Sequence, residues 1–90
     1  MKDTKEYNGY ANWATWNVAL WMHNEEGPYK ATVSALNTAL ISANKIKIVK
    51  DVFQAFFGSK TPDMETAKEM IDVDWQEVAG SFLEDIEEGD

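Results

Sequence analysis

The only histidine of the chain, His23, is followed directly by Asn24, Glu25 and Glu26. An imidazole beside carboxylates is the raw material of a metal site or of a general base held by an acid. The spacing argues against both. One histidine and two adjacent glutamates at a helix end do not present three ligands from one face, so His23 reads as a solvated helix terminus. The chain has no cysteine, which removes disulfides, thiolate metal sites and cysteine nucleophiles together. Ser34, Ser42, Ser59 and Ser81 have no histidine at any local spacing, and a distant triad would have to use His23. P-loop, GxSxG and HExxH patterns are absent. The expectation is a protein that is not an enzyme, with no catalytic residue, no metal ligand and no cofactor.

Two other groups of residues carry chemistry of a different kind. Trp13, Trp16 and Trp21 fall within nine positions, and no charge occurs from Ala11 to Asn24. Asn17 sits among them, and an amide buried there without a partner costs about 1–3 kcal/mol. Asn17 is therefore expected to hydrogen-bond inside the core, to the backbone of a neighbouring turn, or else to lie at an interface. The second group is acidic. The net charge is −8, but residues 1–60 carry seven lysines against five acids, whereas residues 61–90 carry one lysine against eleven. Rows of carboxylates in that last third are either solvated helix surface or an imitation of nucleic-acid phosphates that fits a basic groove. Arginine is absent, which removes the side chain most used to read guanine and phosphate, so direct nucleic-acid binding is not expected despite the cluster Lys45, Lys47 and Lys50.

The elements that must position these groups follow from spacing. Ninety residues make one domain, with 1–10 as an N-terminal arm and 87–90 as a frayed acidic tail. Asn12 is an N-cap for a helix whose face Trp13, Trp16, Asn17, Leu20 and Trp21 recurs at helical spacing; Ala14, Val18, Ala19 and Met22 make its other side apolar as well. Gly27 and Pro28 mark its end. If Glu25 and Glu26 close this helix they oppose its dipole and are candidates for a partner contact; if Asn24 caps the next helix they are favourably placed. Val33, Leu36, Leu40 and Ile41 predict a second helix, interrupted near Asn44 and Lys45. Ile46 and Ile48 could begin a strand, but Val49, Val52, Phe53, Phe56 and Phe57 favour a third helix up to Gly58. Thr61 is expected to cap a helix starting at Pro62 and carrying Met64, Ala67, Met70 and Ile71. Asp74 caps the last helix, with Glu77 as capping-box partner and Trp75, Val78, Ala79, Phe82, Leu83 and Ile86 on one face. The prediction is an all-α, compact orthogonal bundle of four or five short helices, with Trp13, Asn17, Leu20, Leu36, Phe53, Trp75 and Phe82 in its core.

The segments NGYANWATWNVALWMHNEEGPY and VDWQEVAGSFLED together resemble a family of small, functionally uncharacterised proteins common in bacteriophages and bacterial mobile elements. Its pattern is an aromatic, T-W-N-V-x-L-W, N-[DE]-x-G-x-Y, and a closing V-[DN]-W-x-E-[IV]-A. Here these are Trp13, Thr15 to Val18, Leu20, Trp21, Asn24, Glu25, Gly27 and Tyr29, then Val73 to Ala79. The resemblance covers both ends and misses the middle. It implies a phage-like origin and little chemistry.

These readings converge on a non-catalytic, phage-type accessory protein that binds a host or phage protein, in the manner of an acidic inhibitor or DNA mimic directed at a nucleic-acid-processing or defence enzyme. Candidate contact residues are Trp16, Trp21, Glu25, Glu26, Glu84, Asp85, Glu87 and Glu88. The alternatives are a homodimer built on the tryptophan-rich helix and, third, a small enzyme using His23. No run approaches the ~20 apolar residues needed to span a bilayer, so no membrane association is expected and the location is read as cytoplasmic.

Overall fold

Asn12 begins the first helix as its sequence position requires. Its Oδ1 accepts from the Thr15 backbone N–H at 2.9 Å and from the Thr15 hydroxyl at 2.8 Å, closing one of the open donors at a helix start. In the computed structural model, which describes residues 7–39 and 43–88 but not the side chains of Glu87 and Glu88, four α-helices and one 3₁₀ helix make an all-α bundle, and no strand occurs among the described residues. The helices are α1 (Trp13–Asn24), α2 (Glu26–Thr38), α3 (Lys45–Phe57), the 3₁₀ helix Ala67–Asp72, and α4 (Trp75–Glu88).

A single extended residue, Glu25, separates α1 from α2. Gly27 and Pro28 do not end α1, as their spacing suggests; they belong to the first turn of α2. Proline is tolerated there because the first-turn N–H groups have no partner within the helix. Gly27 has a packing role. A Cβ at that position would meet the Phe56 ring at 3.0 Å, so the start of α2 lies close against α3. Glu26 stands at the favourable positive end of α2 and pairs with Lys30, and Asn24 is the last residue of α1, not the cap of α2. Leu40 and Ile41, expected to extend the second helix, lie outside the described residues. Asn44 caps α3 through the Lys47 N–H, and Gly58 closes it with φ +78°, a left-handed conformation that a residue without a Cβ adopts without strain.

The largest departure from the sequence reading lies between α3 and α4. No helix starts at Pro62. Thr61 is fully buried, and the helical turn begins only at Ala67, where Thr66 and Glu69 form a capping box. The T-x-x-E signature at 66–69 carries the local start signal, whereas Thr61 is committed to α1, as described below. Ile71, placed on the apolar face of the expected helix, is 85% exposed. Asp74 does cap α4, accepting from the Glu77 N–H at 3.2 Å. The Glu77 carboxylate, however, is not its capping-box partner; it accepts from the Ala11 N–H at 2.8 Å.

The core is built from Ala14, Val18, Met22, Leu36, Val49, Phe53, Met64, Val73, Val78, Ala79 and Phe82. On α1 the residues that join this apolar core are therefore Ala14, Val18 and Met22, and Thr15, Asn17 and Ala19 are buried beside them. Trp13 and Trp75, expected inside, pack half-buried around the core, and Leu20 is only half-buried at the surface. The reason is size. A domain this small has too little interior to enclose four indoles, and small residues at the centre let helices approach closely.

Candidate functional site

The described chemistry is organised by α1, which makes three separate polar connections to the last third of the chain. At its N-terminus, Asn12 Nδ2 donates to the Asp72 carbonyl at 2.9 Å, while Thr15 Oγ1 accepts from the Asp74 N–H at 2.9 Å and passes its own proton to Asn12 Oδ1. Side chains of the N-x-x-T start of α1 thus satisfy open backbone groups at the start of α4. Two segments about sixty residues apart in sequence share one hydrogen-bonded corner.

In the middle of α1, Asn17 is 0% exposed and its amide is satisfied in both directions. Nδ2 donates to Asp63 Oδ2 at 2.7 Å, and Oδ1 accepts from the Thr61 hydroxyl. Trp21 Nε1 donates to the same Asp63 oxygen at 3.0 Å. The hydrogen bonds from Asn17 and Trp21 hold the Asp63 carboxyl below its ordinary value. The expected backbone partners for Asn17 are replaced by two side chains of the 59–66 loop. Asp63 is the residue that sequence reasoning missed here; its one signal was position in the T-P-D turn, which says nothing about α1.

At the C-terminal end, His23 is not a solvated helix terminus. Its side chain is 22% exposed, its ring stacks on Phe82 at 4.0 Å between centroids and 13° between planes, and Tyr29 stands beside both rings, 5.6 Å from His23 and 5.7 Å from Phe82. Nε2 lies 2.9 Å from Ser81 Oγ and Nδ1 3.4 Å from Asp85 Oδ2. Burial pushes the imidazole below its ordinary value, and the Asp85 carboxylate partly opposes this. Ser81 and Asp85 stand four apart on α4, so one helix face delivers both.

The order serine, histidine, aspartate is that of a hydrolytic triad, and it gives the His23 alternative a concrete geometry. The surroundings differ from those of a nucleophile. Ser81 Oγ already donates to the Val78 carbonyl at 2.6 Å, and the donor of its 2.9 Å contact with Nε2 is set by the imidazole tautomer. The amides around Ser81 belong to the interior of α4, where helix bonds use them, so no pair of N–H groups is free to hold a developing oxyanion. Among the described residues, no group of three or more His, Asp or Glu side chains is placed to hold a metal ion. The arrangement does one thing plainly: it joins α1, α2 and α4 through an aromatic stack with a titratable centre.

The candidate contact residues are distributed over separate surfaces. Trp16 is half-buried under Tyr7, at 4.8 Å between ring centroids. Trp21 and Glu25 share a shallow hollow with Leu20 and Asn24. Glu26 is engaged by Lys30, and Asp85 faces His23. Glu84 lines a different concavity, with Glu77, Gly80 and Ser81 against Gly9 and Tyr10. Glu87 and Glu88 lie outside the described side chains. Glu69 and Asp72 line a third hollow with Asn12 and Trp13. The structure thus sets four acids, Glu69, Asp72, Glu77 and Glu84, on both flanks of the 9–14 segment. Among the described residues, Lys30 and Lys47 pair inside their own helices, with Glu26 and Asp51, and no described lysine pairs with an acid of the last third. No described helix is long and apolar enough to cross a membrane.

Residues 3–88 match a family of unknown function (DUF7249), and the chain belongs to that family. No curated protein and no solved structure matches it.

Proposed function

We propose that this member of an uncharacterised family is a phage-type accessory protein of the cytoplasm that works without catalysis, by binding another protein through its acidic face. The observation that supports this reading is the placement of Glu69, Asp72, Glu77 and Glu84 along both flanks of the 9–14 segment with no described lysine to neutralise them. A partner with a basic groove shaped for nucleic acid, such as a host nucleic-acid-processing or defence enzyme, offers the complementary surface. Such a complex forms fast and weakens with salt.

The test is a pull-down with the tagged chain from nuclease-treated host lysate, followed by a salt titration of the purified complex. Affinity should fall about tenfold or more between low and physiological salt, because exposed charges are screened over roughly 8–10 Å. Asp72→Asn combined with Glu84→Gln should reproduce much of that loss, since both side chains are exposed. Affinity that does not respond to salt, or to this double substitution, rules out charge mimicry.

Homodimerisation is the second reading, and Trp16 and Leu20 favour it: they stand four apart and half-buried on the outer side of α1. Trp21 is the poorer probe, since its indole is tied to Asp63 and packs edge-on to Phe57 at 6.2 Å. Leu20→Asp should convert a dimer to a monomer in sedimentation. A wild-type chain that is monomeric at high concentration removes the idea.

A further inference from the structure

A groove of about 460 Å³ lies away from the acidic face. It opens between α3, the 3₁₀ helix and the first turn of α4. Phe53, Met70, Val73 and Trp75 form an apolar and aromatic lining, Ile71 stands exposed at one rim, and Lys50 stands at another. Every other concavity described above is lined by at least one carboxylate; this one is lined by none. In a chain of net charge −8 that is a local reversal of sign.

The neighbouring acids are turned to other tasks. Asp51, next to Lys50 in sequence, is held by Lys47 at 2.7 Å. Asp72 lines the hollow beside Trp13, and Asp74 caps α4. Lys50 Nζ itself lies 6.0 Å from the centre of the Trp75 ring, at the outer limit of a cation–π contact, so its ammonium is at hand above an aromatic floor. The 3₁₀ spacing also sets Lys68 on the same side of its helix as Ile71. The groove also carries Gln54 and Ser59, so apolar rings and a few polar side chains share its lining, a combination that small-molecule sites use.

We propose that this groove binds a small molecule with a flat apolar body and one anionic group, the body lying on Met70 and Trp75 and the anion meeting Lys50. The charge arrangement selects against cations only weakly, through Lys50 alone, whereas it offers an anion a cation with no competing carboxylate. The proposal is independent of the acidic-face reading, because none of the four acids named there lines the groove.

The test uses 2-naphthoate and its neutral isostere 2-naphthamide, each titrated into the isotopically labelled full chain and followed by amide NMR shifts. Shifts are expected at residues 50–54, 58–59 and 67–75, with the carboxylate bound roughly three- to fivefold more tightly than the amide, the factor that an exposed ion pair supplies. Lys50→Met should bring the two affinities together while leaving 2-naphthamide binding unchanged. Lys50 is exposed, so this variant keeps the fold, and an unchanged far-UV spectrum checks that. Equal affinities in the wild-type chain, shifts centred on Leu20 to Glu25, or no saturable shift with either compound would each overturn the proposal.

Discussion

The Asn17 and His23 connections both run from α1 to the last third of the chain, yet they are built on opposite terms. Asn17 is sealed in the core, and its bonds do not depend on its own ionisation; the ionisable member, Asp63, sits outside at the surface. His23 reverses this, with the titratable ring half-buried on Phe82 and beside Tyr29, and its polar partners toward the outside. Where the charge sits decides what pH does to each connection. Burial without a strong counter-charge holds His23 toward its neutral form, whereas donors from the core hold Asp63 toward its charged form.

The comparison can be broken most forcefully at Phe82, the floor of the histidine stack. Phe82→Ala removes a fully buried ring and should cost about 3–5 kcal/mol in urea unfolding, with the His23 ring resonances moving toward exposed values. Asn17→Leu comes next. It keeps the volume but leaves the buried Thr61 hydroxyl without its partner and removes one of the two donors to Asp63, and should cost about 1–3 kcal/mol. A cost below the error of the measurement would mean that the 59–66 loop is held by Met64 and by other packing alone.

The pH dependence should be smaller and should separate the two connections. His23 has a folded value below its ordinary 6.5, so the unfolded chain takes up the proton first. Stability from this site is therefore complete above about that pH and is lost as pH falls from there through the folded value. Asp63 is likewise depressed, from 3.8, so its contribution is present above that value and is lost as pH falls through the lower folded one. Stability measured against pH should show two descending limbs. His23→Gln should remove the upper limb, and Asp63→Asn the lower. A profile with the upper limb intact in His23→Gln would assign that limb to some other group.

Much of the fold was legible because the signals for it are local. The caps Asn12 and Asp74 act within three residues, and the spacing of Val49, Val52, Phe53 and Phe56 decided helix over strand in α3; Asn44, read only as a break in the second helix, turned out to cap α3. Thr61 shows where local signals mislead. Followed by proline, it reads as a helix start, but the buried amide of Asn17 draws its hydroxyl inward, and the true cap lies five residues later at Thr66. The two motif segments at the ends of the chain were visible as a pair. Their shared corner, from Asn12 and Thr15 to Asp72 and Asp74, was not.

Composition, periodicity and capping residues by themselves determined that this chain is helical, that it lacks thiol chemistry and that its negative charge gathers in the last third. They act over one helical turn or over the whole chain, and both scales can be read without coordinates. Only the tertiary structure decided which face of α1 turns inward, that Asp63 receives two donors from α1, that Ser81 and Asp85 meet His23, and that the groove between α3, the 3₁₀ helix and α4 is free of acid. Those outcomes join residues some forty to sixty positions apart. They depend on how the small interior is shared among large rings, and a one-dimensional pattern does not specify that sharing.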